Sequence, residues 1–327
     1  MLGPRTAGAG RLPLVIDKTV TIEINGSAQR IRMCAESRGL PPILIVQAGP
    51  GLPILHEVKK FQQHLHLESD FMVSYWEQRG CGIAPAQDAK SVSLPQQVED
   101  LRGVLQWLEN ETKQAVTVFG ISLGGTITLQ AAARESHSVK SVIAISPDAN
   151  TASSDASVFL FLHAQSALAE NRGLSAKVKK LGEPPYTDSA AFQLRARLLS
   201  DLGGIEHGKK FSGILKETLF SMLRTYGPVG TAKALRNMNL IQRELLPQLV
   251  LLDLFADPPQ IAVPVHYVFG AQDPLTPLAI VERLPLAIAA KETTVIRVPK
   301  AGHMVHFDQP EIVRSIVVKA KGETNAF

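Results

Sequence analysis

The spacing of apolar residues changes several times along this chain, and each change marks an element. Strand-like runs from Thr19 to Ile24 and from Gln29 to Ala35 flank an Asn25-Gly26 turn signal, which predicts a hairpin. Two short, continuous apolar runs follow, Pro42 to Gln47 and Phe71 to Trp76, each ending in a glycine-bearing loop. Such runs suit strands buried on both faces. Between Leu94 and Glu111 the spacing becomes helical, through Val98, Leu101, Val104, Leu105 and Leu108. A strand at Ala115 to Phe119, a helix from Leu123 to Arg134 and a strand at Val139 to Ile145 complete this part. The alternation breaks at Pro147. From Asp148 to Pro259 the pattern is helical instead, at Ala156 to Glu170, Ala190 to Leu202 and Phe211 to Tyr226. Strand and helix then alternate again: Val263 to Phe269, Pro277 to Ala289, Thr293 to Val298 and Pro310 to Lys321.

Alternating strands and helices with short loops predict an α/β fold with a mostly parallel, doubly wound sheet. The expected organisation is a flexible tail over residues 1–14, a core from 15–147 and 260–327, and a helical insertion over 148–259. At 327 residues the chain is long enough for a sizeable core, and 45% hydrophobic with 20% charged residues excludes disorder, collagen and a disulfide scaffold. The formal net charge of +4 comes from scattered residues, so no nucleic-acid partner is implied. No apolar core of a leader occurs before Pro13, and the most apolar stretch, Leu245 to Phe255, is too short for a bilayer and carries Asp253. Cys34 and Cys81 stand in neither a redox nor a zinc pattern. They are expected as free thiols in a reducing, cytoplasmic setting, with no membrane partner and no metal.

The chemistry centres on Gly120-Ile121-Ser122-Leu123-Gly124, a G-x-S-x-G between a predicted strand and a predicted helix. A serine on such a turn is held in a strained backbone, and a Cβ at Gly120 or Gly124 would strike the adjoining strand and helix. Serine needs a base, and the base needs an orienting acid. Asp273 follows one of the late strands and His303 follows the last, so the order Ser122, Asp273, His303 is available. Asp148 and Asp253 are weaker candidates for the acid. His306 and Asp308 are assigned to packing and capping at the last helix, and the remaining histidines to surface or structural places. The oxyanion requires two amide donors. Leu123 supplies one, and Gly49 or Ala48 the other, since Pro50 has no N–H; Gly49 is preferred because it lets the backbone approach the substrate. Gly80-Cys81-Gly82 lacks the third glycine of a dinucleotide site and no phosphate loop occurs, so no cofactor is implied. Arg79 is expected to pin its loop through Glu77. Cys81 is either near the mouth of the site or a buried inert thiol.

These residues resemble the α/β-hydrolase superfamily, and more narrowly its proline iminopeptidase branch. The branch motifs H-G-G-P-G, D-Q-R-G-x-G-x-S and G-x-S-x-G-G correspond to Gln47 to Gly51, Glu77 to Ala84 and Gly120 to Gly125. Gln47, Ala48 and Ala84 depart from the pattern. The resemblance implies about eight strands, a helical cap inserted after the sixth, and a serine hydrolase that forms an acyl-enzyme on a small ester or amide. Its most specific version removes an N-terminal proline from a short peptide. An esterase, lactonase or carbon-carbon bond hydrolase with the same triad is the alternative, as is a ligand receptor on a retained fold. In aminopeptidases of the branch, cap carboxylates bind the substrate amine. Among Glu206, Glu217 and Glu244, Glu244 is favoured because it precedes an apolar run expected to pack on the core.

Overall fold

The computed structural model describes residues 12–169 and 172–322, so the expected tail lies, up to residue 11, outside the described residues. Eight strands form one sheet: β1 (Ile16–Ile24), β2 (Ser27–Ala35), β3 (Pro42–Val46), β4 (Met72–Glu77), β5 (Val116–Ile121), β6 (Val139–Ile145), β7 (Val265–Gly270) and β8 (Thr293–Val298). Their order is β1-β2-β4-β3-β5-β6-β7-β8. β2 runs antiparallel to both β1 and β4, and every other pairing is parallel. The hairpin registers Ile24 against Ser27, with Asn25 and Gly26 both at positive φ. That is the conformation an Asn-Gly pair adopts at little cost.

The apolar strands are buried on both faces. Leu44, Val46, Val116, Val118, Val142 and Ala144 point to one side, and Ile43, Ile45, Phe119, Ile121, Ile143 and Ile145 to the other. The first side is covered by α3 (Leu94–Thr112), α4 (Leu123–Arg134), α9 (Leu278–Ala287) and the end of α8 (Phe211–Leu249). The second is covered by α1 (Val58–Leu65) and α11 (Pro310–Lys321). Helix α3 shows why the pattern was readable. Ser93 caps it by accepting from the Gln96 amide, and Leu101, Val104, Leu105 and Leu108 are at most 1% exposed. Each such side chain is worth about 1.5–3 kcal/mol against leaving it in water.

Between β6 and β7 the chain makes α5 (Thr151–Leu168), α6 (Arg172–Leu181), α7 (Ser189–Asp201) and α8, a helical insertion after the sixth strand. Its first three helices share a small core of their own, around Val158, Leu162, Val178, Leu181, Leu198 and Leu199. The helix expected to end at Tyr226 continues instead to Leu249. Gly227, at φ 66° and ψ 177°, breaks it ahead of Pro228, and helical geometry then resumes. Four helices were not foreseen: α1, α2 (Ala86–Lys90), α6 and α10 (Val305–Asp308). Among the described residues no helix is long and apolar enough to cross a membrane.

Candidate active site

Ser122 sits between β5 and α4 with φ 52° and ψ −123°, a conformation a residue with a side chain adopts only under constraint. The constraint is the packing around it. A Cβ on Gly120 would lie 2.6 Å from Gly124 O and 2.7 Å from Gly125 Cα, and one on Gly124 would lie 2.3 Å from Val46 O. The helix start is thus pressed against the neighbouring strand, and only glycine leaves room. Ser122 is 5% exposed, and the Leu123 amide opens the helix, where no intrahelical acceptor exists for it.

His303 follows β8 and Asp273 follows β7, as their places in the sequence require. The His303 Nδ1–H donates to Asp273 Oδ2 at 2.8 Å, and both residues are buried. Asp273 also accepts from the Leu275 amide at 2.8 Å and from the Thr276 hydroxyl. Burial alone would push the Asp273 carboxyl up, but the His303 charge and these hydrogen bonds hold it below the usual range. Burial likewise opposes charge on His303. The Asp273 charge and hydrogen bond, with a further contribution from Asp148, outweigh it and raise the imidazole above its ordinary value.

The loop after β3 lies beside this turn. A Cβ on Gly49 would meet Leu123 Cδ2 at 2.7 Å, so the Gly49 backbone borders the Leu123 residue directly. The Ala48 amide donates to Gln47 Oε1 at 3.1 Å. Gln47, in the place of the branch histidine, also donates to Glu57, and its carbonyl accepts from Gln78.

Several sequence expectations are revised. Arg79 does not pair with Glu77. It reaches Asp100 on α3, with Nε at 2.6 Å and Nη2 at 2.9 Å, while Glu77 accepts from Tyr226 and from Arg30. Glu77 is the last residue of β4 and Arg79 lies in the turn beyond it, so the two side chains serve different neighbours. Glu244 is on the exposed face of α8, opposite buried Ile241 and Leu245, and is not gathered with Ser122. Glu206 is buried but occupied by Lys60 at 2.6 Å and Lys209 at 3.0 Å, and Glu217 is exposed beside Lys209. Asp253 is exposed and accepts from the Phe255 amide. His306 packs as expected, stacked on Phe61 with centroids 5.3 Å apart. Asp308 leaves α11 uncapped and binds the amides of Gly302 at 2.8 Å and His207 at 2.9 Å, tying the His303 loop to the insertion. The same loop donates from the His303 and Met304 amides to Gly204 O and Ile205 O, at 3.0 and 2.9 Å. Both cysteines are buried, and burial pushes the Cys34 thiol up to about 12 and Cys81 still higher, so Cys81 is a protected thiol.

Asp148, the weaker sequence candidate for the acid, is not the hydrogen-bond partner of His303 but stands beside the serine. It follows β6, and Ser122 Oγ donates to its Oδ2 at 3.4 Å. Burial pushes this carboxyl up, against the opposing charges of His303 and Arg195. Arg195, on α7, bonds Asp155 on α5, and Asp155 is buried. The signal was available in the topology: the ends of parallel strands converge on one crevice, and Asp148 stands at such an end.

The alpha/beta hydrolase fold family model matches residues 41–310. The chain is 24% identical over 279 residues to the probable aminopeptidase YbaC of Bacillus subtilis (strain 168), covering 83% of this chain and 86% of that protein. Its structure is similar to the proline iminopeptidase of Mycobacterium smegmatis, with a TM-score of 0.63 at 16% identity, covering 93% of this chain and 97% of that one. It is also similar to the enol-lactonase of Burkholderia xenovorans LB400, with a TM-score of 0.62 at 17% identity, covering 93% and 100%. From the Ser122 turn, the sheet order and the family match together, the chain belongs to the α/β-hydrolase family.

Proposed function

We propose that the protein is a serine hydrolase that cleaves a small ester or amide through an acyl-enzyme, with an N-terminal aminoacyl group, proline in the most specific version, as the acyl part. The observation that carries this reading is the strained Ser122 at the head of α4 together with the buried, hydrogen-bonded His303–Asp273 pair. Ser122 Oγ attacks the substrate carbonyl carbon while its proton passes to His303 Nε2. The Leu123 and Gly49 amides receive the oxyanion. His303 then gives that proton to the leaving alkoxide or amine as the bond to the carbonyl carbon breaks, and water activated by His303 releases the acid and restores the serine. Asp273 fixes the tautomer that leaves Nε2 as the acceptor.

Residues 15–147 and 260–327 form the catalytic core in this reading, and 148–259 form the cap that selects the substrate. The similarity to a probable aminopeptidase supports the aminoacyl version, and the similarity to an enol-lactonase keeps the ester alternative in the test. Two protected thiols fit a reducing, cytoplasmic setting. The deciding experiment is labelling of Ser122 by a fluorophosphonate, followed by a panel of aminoacyl arylamides and p-nitrophenyl esters. Ser122→Ala is expected to abolish labelling and to reduce turnover by about 10⁶-fold with the fold intact. Folded wild-type protein that resists the probe and turns over neither class would be a receptor and not a hydrolase.

A further inference from the structure

The polar groups around Ser122 do not balance. Asp273 is satisfied by His303, Thr276 and the Leu275 amide. Asp155 is satisfied by Arg195 and by the Tyr186 amide. Asp148 has one hydrogen bond to its carboxylate among the described residues, the 3.4 Å contact from Ser122 Oγ. Its own backbone is pinned, because the Thr126 hydroxyl donates to the Asp148 carbonyl at 2.6 Å. While His303 is neutral, the cation that faces Asp148 is Arg195, which is already bonded to Asp155. A carboxylate offers about four acceptor positions, and leaving most of them empty in a buried site is costly.

The position of this unfilled acceptor defines what would fill it. A carbonyl carbon poised for attack stands about 3–3.5 Å from the serine oxygen. Asp148 Oδ2 is 3.4 Å from that same oxygen, so the attacked carbon and a cation bound to Asp148 both neighbour the serine. The substrate cation held nearest to an attacked carbonyl carbon is an α-ammonium, one carbon away from it. A second consequence concerns the serine itself. Among the described residues its hydroxyl is hydrogen-bonded to Asp148, and no bond joins it to His303. The serine hydroxyl is thus set against an acid that is not the base.

We propose that Asp148 is the specificity-determining residue that receives the α-ammonium of the substrate and, until that group arrives, holds the Ser122 hydroxyl away from His303. The ammonium takes over the Asp148 acceptor positions, and the serine hydroxyl turns about its Cβ–Oγ bond to donate to His303 Nε2. No proton is lost in this exchange of partners. The inference builds on the reading of Ser122 as the nucleophile, but its first test needs no turnover.

Binding of L-prolinamide and N-acetyl-L-prolinamide to Ser122→Ala protein at pH 7 is measured by calorimetry, with and without Asp148→Asn. The free amine should bind, the acetylated one should bind at least tenfold more weakly, and Asp148→Asn should weaken the free amine by about 10- to 100-fold, the worth of a charge-assisted hydrogen bond. Asp148→Glu, which keeps the charge, should recover part of the loss, and thermal melts establish that each variant is folded. The second test uses p-nitrophenyl acetate and intact Ser122. The groups that act on the His303 imidazole are Asp273, Asp148 and Arg195, and His306 lies three residues further along the chain. Removing the Asp148 charge with Asp148→Asn should move the rising limb of kcat/KM to lower pH by about one unit, as expected for the loss of one nearby opposite charge. Absence of prolinamide binding, equal binding of both amides, or an unmoved limb would each overturn the proposal. If fluorophosphonate fails to label Ser122 while prolinamide binding still depends on Asp148, the hydrolase reading falls and the cation site stands.

Discussion

Gly124→Ala tests the steric argument for the serine turn most directly. The added Cβ would stand 2.3 Å from Val46 O and 2.5 Å from Gln47 O. Both obstacles are backbone, so no side chain can swing clear, and the approach is about an ångström inside the ordinary 3.4 Å contact limit. The start of α4 must therefore retreat from the end of β3 by about that distance. Ser122 and the Leu123 amide ride on the moving element, while Gly49 stays with the β3 loop. A 1 Å misplacement of reacting groups costs about 100-fold in rate, and overpacking of this kind costs about 1–3 kcal/mol in stability. Gly125→Ala is the graded control: its Cβ meets Pro147 Cβ at 3.0 Å, a contact that a few tenths of an ångström relieves. The assay is kcat/KM for p-nitrophenyl acetate and the rate of fluorophosphonate labelling, beside a thermal melt of each variant. The expected order is wild type, then Gly125→Ala, then Gly124→Ala about 100-fold down. A folded Gly124→Ala protein with wild-type rates would refute the claim that glycine is needed there for clearance.

Asp100 is fully buried and accepts from Arg79, Asn25, Gln29 and Gln96 at 2.6 to 3.0 Å, so Asp100→Ala leaves a buried guanidinium unpaired and should cost about 3–5 kcal/mol. In urea unfolding this appears as a lower midpoint with an unchanged slope, and a loss under about 1 kcal/mol would contradict the assigned pairing. The rising limb of kcat/KM should lie above the ordinary imidazole value of about 6.5, because neutral His303 is required and its neighbours favour the charged form. The stability that His303 contributes has the opposite sense: it is complete below the unfolded value and is lost as pH climbs through the raised folded one. A limb at or below 6.5 would show that the Asp273 charge does not govern this histidine.

Much of this architecture could be read locally. The spacing in α3 and the runs of β3, β5 and β6 follow from residues that are neighbours in sequence, and α4 begins and ends at the expected residues, Leu123 and Arg134, with nearly every position between them buried. The stripe Val58, Phe61, Leu65 that buries α1 was also present and went unused. What escaped depends on residues far apart. Arg79 finds Asp100 across the sheet's covering layer, 21 positions on, and that choice is set by which way the turn after β4 faces. Asp148 matters because strands β5 and β6 end side by side, a fact of register that no single segment contains. Glu244 illustrates the converse, since an apolar run beside a residue does not say on which side of the helix the residue points.

The amides of His303 and Met304 donate to the carbonyls of Gly204 and Ile205, and Asp308 joins His207 to Gly302. The loop bearing the imidazole is in effect stitched to the insertion between α7 and α8, so that edge cannot lift as a free lid. The insertion is tied at its other end as well, where the Thr151 and Leu254 amides donate to the Leu252 and Ala149 carbonyls at 3.1 and 2.7 Å. The insertion is therefore not a module to be exchanged between relatives at its two sequence junctions: a graft that discarded residues 204–207 would unfasten the loop that holds the base. Hydrogen exchange would reveal the seam as protection of the His303 and Met304 amides.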